Sequence, residues 1–165
     1  MPKQQASSSK KTMDYQLKGK DREHFLKRCL RSIKSWGLKM PAGEVLVSDF
    51  GLAEFENTGL IEFWVANEQK AGYCGKFLFV FEGQSCPAHR HDIKHETFYV
   101  LKGSVEMISG GKRRILNEGA VHVMPAGATH SFNGRTDALM LEVSMPCLLK
   151  DNFFDDKRIG VNGVI

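Results

Sequence analysis

The chain has 165 residues, 42% of them hydrophobic and 25% charged, which are values of one soluble globular domain and not of a fibrous or wholly disordered chain. A unit of that length buries about 70% of its unfolded surface, so it needs neither disulfides nor a metal merely to fold. The longest apolar run, Phe77-Leu-Phe-Val-Phe81, is far below the ~20 residues of a membrane helix, and no apolar segment follows the N-terminal lysines.

The net charge of +4 belongs to the first twenty residues, where Lys3, Lys10, Lys11, Lys18 and Lys20 face only Asp14. The rest of the chain is neutral, so the basic patch that nucleic-acid binding requires is missing from the folded part. Residues 1–20 read as a disordered basic tail too polar to form a core, and residues 21–165 as a single domain.

From Asp21 the pattern is helical. Phe25, Leu26, Cys29, Leu30, Ile33 and Trp36 recur at three- and four-residue spacing and Gly37 supplies a stop, which predicts one amphipathic helix over 21–36. After Pro41 short Val/Ile/Phe/Tyr runs alternate with Gly, Asn and Asp. They predict strands near 45–49, 60–67, 73–82, 86–91, 96–102, 104–109, 113–117, 120–124, 129–133 and 138–145. One helix followed by many short strands indicates an all-β sandwich or barrel. The last stretch, 150–159, reads as an ordered terminal segment. Cys29, Cys74, Cys86 and Cys147 form no Cys-x-x-Cys pair and read as reduced thiols of a cytoplasmic protein, with Cys86 near a site but not a ligand.

Five of the six histidines lie between residues 89 and 130. His89 and His91 point to one face of a strand, and across a tight turn Glu96 can face the same interior. Two imidazoles and a carboxylate form a ligand set for a divalent first-row metal. An isolated His-x-His is usually inert, but its surroundings here are specific. Gly83-x5-His89-x-His91-x4-Glu96-x6-Gly103 resembles the first cupin motif. Gly119-x5-Pro125-x-Gly127-x2-His130 resembles the second, with Asn133 one place early.

The resemblance implies a cupin double-stranded β-helix, a jelly-roll barrel preceded by the N-terminal helix, with a metal held inside by His89, His91, Glu96 and His130. Manganese is the first expectation, with Zn, Fe, Co or Ni as alternatives. Ser48-Asp-Phe-Gly51, Ala71-Gly-Tyr-Cys-Gly-Lys76, Gln84-Ser-Cys-Pro-Ala-His-Arg-His91, Lys94-His-Glu-Thr-Phe98 and the ending Asp151-Asn-Phe-Phe-Asp-Asp-Lys-Arg-Ile159 are similar to the D-lyxose isomerase family. That similarity implies an aldose–ketose isomerase working by proton transfer through an enediol.

Glu142 is a lone carboxylate in the apolar strand Leu139-Met-Leu-Glu-Val-Ser144, so it is either exposed at an edge or placed for work. The resemblance makes it the base. Lys76 stands at a strand start, where a lysine is ordinarily solvated. The resemblance makes it a pocket cation, with desolvation expected to lower its pKa. Phe98, Phe132 and Trp64 read as core, of which Phe98 and Phe132 are also taken as substrate-contacting, and by resemblance Arg158 and Asp156 close the pocket rim. His95, His122 and His24 carry no task, and Lys112-Arg-Arg114 reads as a solvated turn. Arg90, Lys94 and Arg135 leave a phosphorylated sugar open.

The expected partners are a small sugar and a second copy of the chain, with the helix and strand 45–49 as its contact. Neither membrane nor nucleic acid is expected. A metal-dependent oxygenase and a non-catalytic sugar-binding cupin are the competing readings.

Overall fold

The structure is a computed structural model describing residues 15–165. Helix α1 (Gly19–Ser35) precedes ten strands, β1 (Val45–Ser48), β2 (Leu60–Glu68), β3 (Tyr73–Val80), β4 (Ser85–Arg90), β5 (Glu96–Lys102), β6 (Ser104–Ser109), β7 (Lys112–Asn117), β8 (Val121–Met124), β9 (His130–Gly134) and β10 (Ala138–Ser144). A 3₁₀ turn, Leu149–Asp151, leads to β11 (Phe153–Phe154), which gives the terminal segment its order. The strands form two antiparallel sheets, β1-β2-β3-β10-β5-β8 and β11-β4-β9-β6-β7, stacked as the two walls of an all-β jelly roll. No helix among the described residues is long and apolar enough to cross a membrane.

The β3 sequence shows why the chain has two cores. Lys76, Leu78 and Val80 face the space between the sheets, whereas Phe79 and the following Phe81 face the other way. Outside, α1 lays Cys29 and Ile33 on Phe63, Phe79 and Leu139, so the central strands are apolar on both faces. That double burial explains the unbroken run Phe77–Phe81. The helix ends as predicted, with Gly37 at φ +71° and the Leu38 N–H donating back to the Ile33 carbonyl.

The apolar stripe of α1 packs on its own sheet. One expectation needs correcting. Residues 15–20, assigned to the tail by composition, are bound: Gln16 bridges Ser48, and the Leu17 N–H donates to the Val47 carbonyl at 2.8 Å. The tail at residues 1–14 lies outside the described residues.

Candidate metal centre and charged cavity

Strand pairing brings the histidines together. His89 on β4 stands opposite His130 on β9, and His91 follows just beyond β4. Ligating nitrogens of His89, His91 and His130 lie within 4.8 Å of one another, and all three residues are buried. In each ring Nδ1 is already committed to a main-chain carbonyl: His89 to Pro87 at 2.8 Å, His91 to Asp151 at 2.7 Å, His130 to Ala128 at 3.1 Å. Those bonds make Nδ1 the donor in a neutral ring and leave the Nε2 lone pairs free to ligate.

Burial keeps the rings neutral. It lowers His89 well below the ordinary imidazole value and His91 to about 4, the neighbouring Lys94 ammonium adding to the effect on His91. His130 is lowered as well.

Glu96, 2% exposed, opens β5 beside these rings. Its Oε1 accepts from Lys94 Nζ at 2.6 Å and lies 3.5 Å from His91 Nε2; its Oε2 lies 3.3 Å from His130 Nε2. Glu96 Oε2 and His130 Nε2 are both buried with no hydrogen-bond partner. Two orphaned acceptors facing each other at that distance would be costly unless a cation sits between them. The donor set fits a divalent first-row ion.

A chain of alternating buried charges continues from Glu96. Lys94 Nζ also donates to Glu142 Oε1 at 2.7 Å; Lys76 Nζ lies 3.5 Å from Glu142 Oε2 and 3.1 Å from Glu62 Oε2. Glu142 is therefore not alone, as the apolar strand suggested, but clasped by two lysines and by the Ser144 hydroxyl at 2.9 Å. Burial opposes its charge, yet Lys76 and Lys94 outweigh burial and hold the carboxyl well below the usual carboxylate range. The Lys76 expectation is overturned for the same reason. Burial does act to lower its pKa, but Glu142 and Glu62 together raise it well above the ordinary lysine value.

The cavity holds about 60 Å³, and apolar walls from Phe50, Leu60, Leu78, Phe98, Phe132 and Phe154 surround the charged groups. It adjoins a cleft bordered by Leu46, Trp64 and Leu149, the Lys76 ammonium standing 4.9 Å over the Trp64 ring.

Residues 77–144 match the family described as Cupin domain, and residues 45–99 match the family D-lyxose isomerase. The D-lyxose/D-mannose isomerase of Thermosediminibacter oceani is 30% identical over 141 residues, covering 68% of this chain and 77% of that protein. The chain belongs to the D-lyxose isomerase family. It is an isomerase built on a cupin. The D-lyxose ketol-isomerase of a Thermofilum species is 29% identical, covering 70% of this chain and 79% of its own length. An L-ribose isomerase structure from Cellulomonas parahominis shares the fold, with a TM-score of 0.69, 16% identity and coverage of 90% of this chain and 96% of that one.

In this family member the residues singled out from sequence, His89, His91, Glu96, His130, Glu142, Lys76, Phe98 and Phe132, all line the cavity. Arg158 does not. It is 65% exposed, bound to Asp156 at 2.7 Å and near Glu54 at 3.8 Å, because the terminal segment turns its charged end to solvent after Phe154. His95 and His24 are exposed, and Cys86 lines the cavity as a protonated thiol whose pKa burial raises.

Sequence reading overlooked Glu62, Asp151 and the part Lys94 plays. Asp151 is buried, and its carboxylate accepts the backbone N–H groups of Asp92, Ile93 and Lys94 at 2.9–3.3 Å while its carbonyl takes His91 Nδ1. It thus shapes the loop that carries Lys94 and orients a ring of the metal group. Asp151→Ala should weaken manganese binding about 10–100-fold, the usual cost of losing a group that orients a ligand, as read by calorimetric titration.

Acid should undo the metal-free protein early. His91 has a folded value of about 4 against 6.5 for a free imidazole, and His89 and His130 are lowered likewise, so the unfolded chain binds more protons between those values. Stability is full above the unfolded value and is lost as pH falls through that window. The melting temperature of metal-stripped protein should drop between pH ~7 and ~4.5; unchanged midpoints would contradict this assignment of neutral rings.

Proposed function

We propose that this protein is a metal-dependent isomerase of the cytoplasm that interconverts a free aldose, D-lyxose or D-mannose, with its ketose. The observation that carries the reading is the sharing of one apolar-walled cavity by Glu142, clasped by two lysines, and the three converging histidines. The curated relatives act, by name, on D-lyxose and D-mannose. The four described cysteines are free, as a reducing compartment requires.

Aldose–ketose interconversion moves a proton between adjacent carbons through an enediol. It needs a base, cations for the developing oxyanion and shelter from water. In this proposal Glu142, ionised at any working pH, takes the proton from the carbon beside the carbonyl and returns it to the neighbouring carbon. Lys76 and Lys94 hold that carboxylate in place and present positive charge to the sugar oxygens. Phe98, Phe132 and Phe154 exclude water and leave a flat apolar wall. His89, His91, Glu96 and His130 would hold one divalent ion, manganese in this proposal. When bound, the ion supplies Lewis-acid polarisation of the carbonyl and a fixed seat for two vicinal oxygens.

An unphosphorylated sugar suits the cavity. Among the described residues no arginine lines it, and both lysines are already matched by carboxylates. Arg90 pairs with Asp92 at 2.9 Å in an exposed bridge, and Arg135 is exposed, so neither is a phosphate seat. The test is product analysis by chromatography on manganese-loaded protein given D-lyxose, D-mannose and their 5- or 6-phosphates. Conversion of a free sugar is expected; conversion of the phosphates alone, or of none, would refute the reading.

A further inference from the structure

We infer that the cleft beyond Lys76 seats the non-reacting end of the open-chain sugar, with Trp64 recognising the sixth carbon of a hexose. The inference rests on the isomerase reading above and names where the rest of its substrate lies. Space requires such a seat. The cavity that holds the histidines and Glu142 has about 60 Å³, room for only a few water-sized groups and less than a whole pentose or hexose occupies. The adjoining cleft adds about 100 Å³ and shares Phe50, Glu62, Lys76, Asn152 and Phe154 with the cavity, so a chain leaving one enters the other.

Trp64 is built into this cleft. Its surroundings in the sequence read as core, and Leu60, Ile61 and Phe63 are core, but Trp64 belongs to neither apolar cluster. Strand β2 turns Glu62 and Trp64 to the same side, and its ladder with β3 slips immediately after Trp64, Val65 being the extra residue. Bulges of this kind re-aim side chains and are over-represented beside active sites. The register sets Trp64 opposite Lys76, whose ammonium lies 4.9 Å over the ring and 3.5 Å from Glu142 Oε2. A single lysine thus separates the base from the indole, a span that a sugar's carbon chain crosses.

With one face given to the ammonium, the indole still offers its other face and its N–H edge. That N–H is buried without a hydrogen-bond partner. An orphaned buried donor is unfavourable until an acceptor reaches it, and a sugar hydroxyl is such an acceptor. Asn152 spends its amide nitrogen on the Leu148 and Leu149 carbonyls at 2.9 and 3.0 Å, which leaves its carbonyl oxygen to accept. Glu62 gives Oε2 to Lys76 and keeps Oε1. One donor and two acceptors around an aromatic plane are the complement of a polyhydroxyl chain, whose C–H bonds face the ring while its hydroxyls pair. A sugar entering carbonyl end first brings its reacting carbons to Glu142 and its last carbons to Trp64. A pentose ends one carbon short, so the indole bears mainly on a hexose.

The test compares D-mannose with D-lyxose on manganese-loaded protein by steady-state kinetics. Trp64→Phe keeps an aromatic plane and removes the N–H; it should lower kcat/KM for D-mannose about 5–10-fold more than for D-lyxose. Trp64→Leu removes the plane as well and should widen that gap to about 30–100-fold. The losses should lie in KM more than in kcat, because the far end of the chain binds alike in ground and transition states. A purely structural part for Trp64 would lower both sugars together. A second measurement leaves Trp64 in place. The chain has two tryptophans, and Trp36 packs on Phe79 of the outer face, so in Trp36→Phe the emission reports Trp64 alone. D-mannitol, a six-carbon chain that cannot react, should change that emission more than five-carbon D-arabinitol does at saturation. Turnover of D-lyxose without D-mannose, a sugar preference unchanged in both Trp64 variants, or emission that D-mannitol moves no more than D-arabinitol would each overturn the inference. Unaltered protein that isomerises no free sugar would instead refute the functional reading, and the polyol emission would then decide the cleft by itself.

Discussion

Replacing Glu142 by Gln is expected to lower turnover by about 10²–10⁴-fold, the span that a positioned proton-transfer group contributes. The carboxylate sits between Lys94 at 2.7 Å and Lys76 at 3.5 Å, and an amide of the same shape fills that space without accepting a proton from carbon. Because the proton moves only in the transition state, kcat should fall with little change in KM. Lys76 retains Glu62 and Lys94 retains Glu96, so the variant folds, with a stability loss below the ~3–5 kcal/mol of a fully broken buried pair. Manganese affinity should stay within a few-fold. Steady-state kinetics with calorimetric metal titration checks all three quantities. Full turnover in the variant would remove Glu142 from the role of base.

Lys94→Met is expected to act on the metal and on the base together. Lys94 is the cation common to Glu96 and Glu142, at 2.6 and 2.7 Å, and is itself 3% exposed. Burial and the Glu142 charge both raise the Glu96 pKa, and Lys94 is the first group that lowers it. Without the ammonium, two buried carboxylates repel across a dry space and one of them gains a proton. A protonated Glu96 is a poor ligand, so manganese affinity should fall by roughly 10–100-fold near neutral pH and recover partly as pH rises. Loss of one partner from a buried charge network should also cost about 3–5 kcal/mol of stability, the largest effect on folding of any substitution considered. Thermal melts and metal titrations at two pH values read both effects. Unchanged manganese affinity would mean that Glu96 does not ligate.

Much of this was legible in the chain because alternation and spacing are local. Strand β5 was read at its observed limits and β10 to within one residue, and the parity that puts His95 outside also puts Glu96 inside. The two motifs placed His89, His91, Glu96 and His130 on one interior because each carries its own turn glycines, Gly83 and Gly103 at φ near +78°, Gly119 and Gly127 at +88° and +80°. The charge network was less legible. Lys94 lies in Arg90-His-Asp-Ile-Lys-His95, a stretch that reads as solvated; only the Asp151 carboxylate, far along the chain, turns it inward. Glu62 looks like an ordinary outward residue in Leu60-Ile-Glu-Phe-Trp64. It faces the cavity because the helix claims the other side of β2. The Lys76 pKa was misjudged because burial was weighed without its two carboxylates. Arg158 was placed by resemblance alone, with no local pattern to show which way the terminal segment turns.

The central claim is proton transfer on a free sugar, by the chain's own carboxylate, in a cavity that requires a metal. The measurement that meets it most directly follows solvent-deuterium incorporation at the carbon beside the carbonyl. Metal-stripped protein reloaded with manganese would be given pentoses and hexoses, free and phosphorylated, in deuterated water. The account predicts deuterium in D-lyxose or D-mannose and the matching ketose, abolished by a chelator and nearly abolished by Glu142→Gln. Exchange with no sugar at all, from protein shown by titration to bind manganese, would contradict it and favour an oxygenase or a sugar-binding cupin.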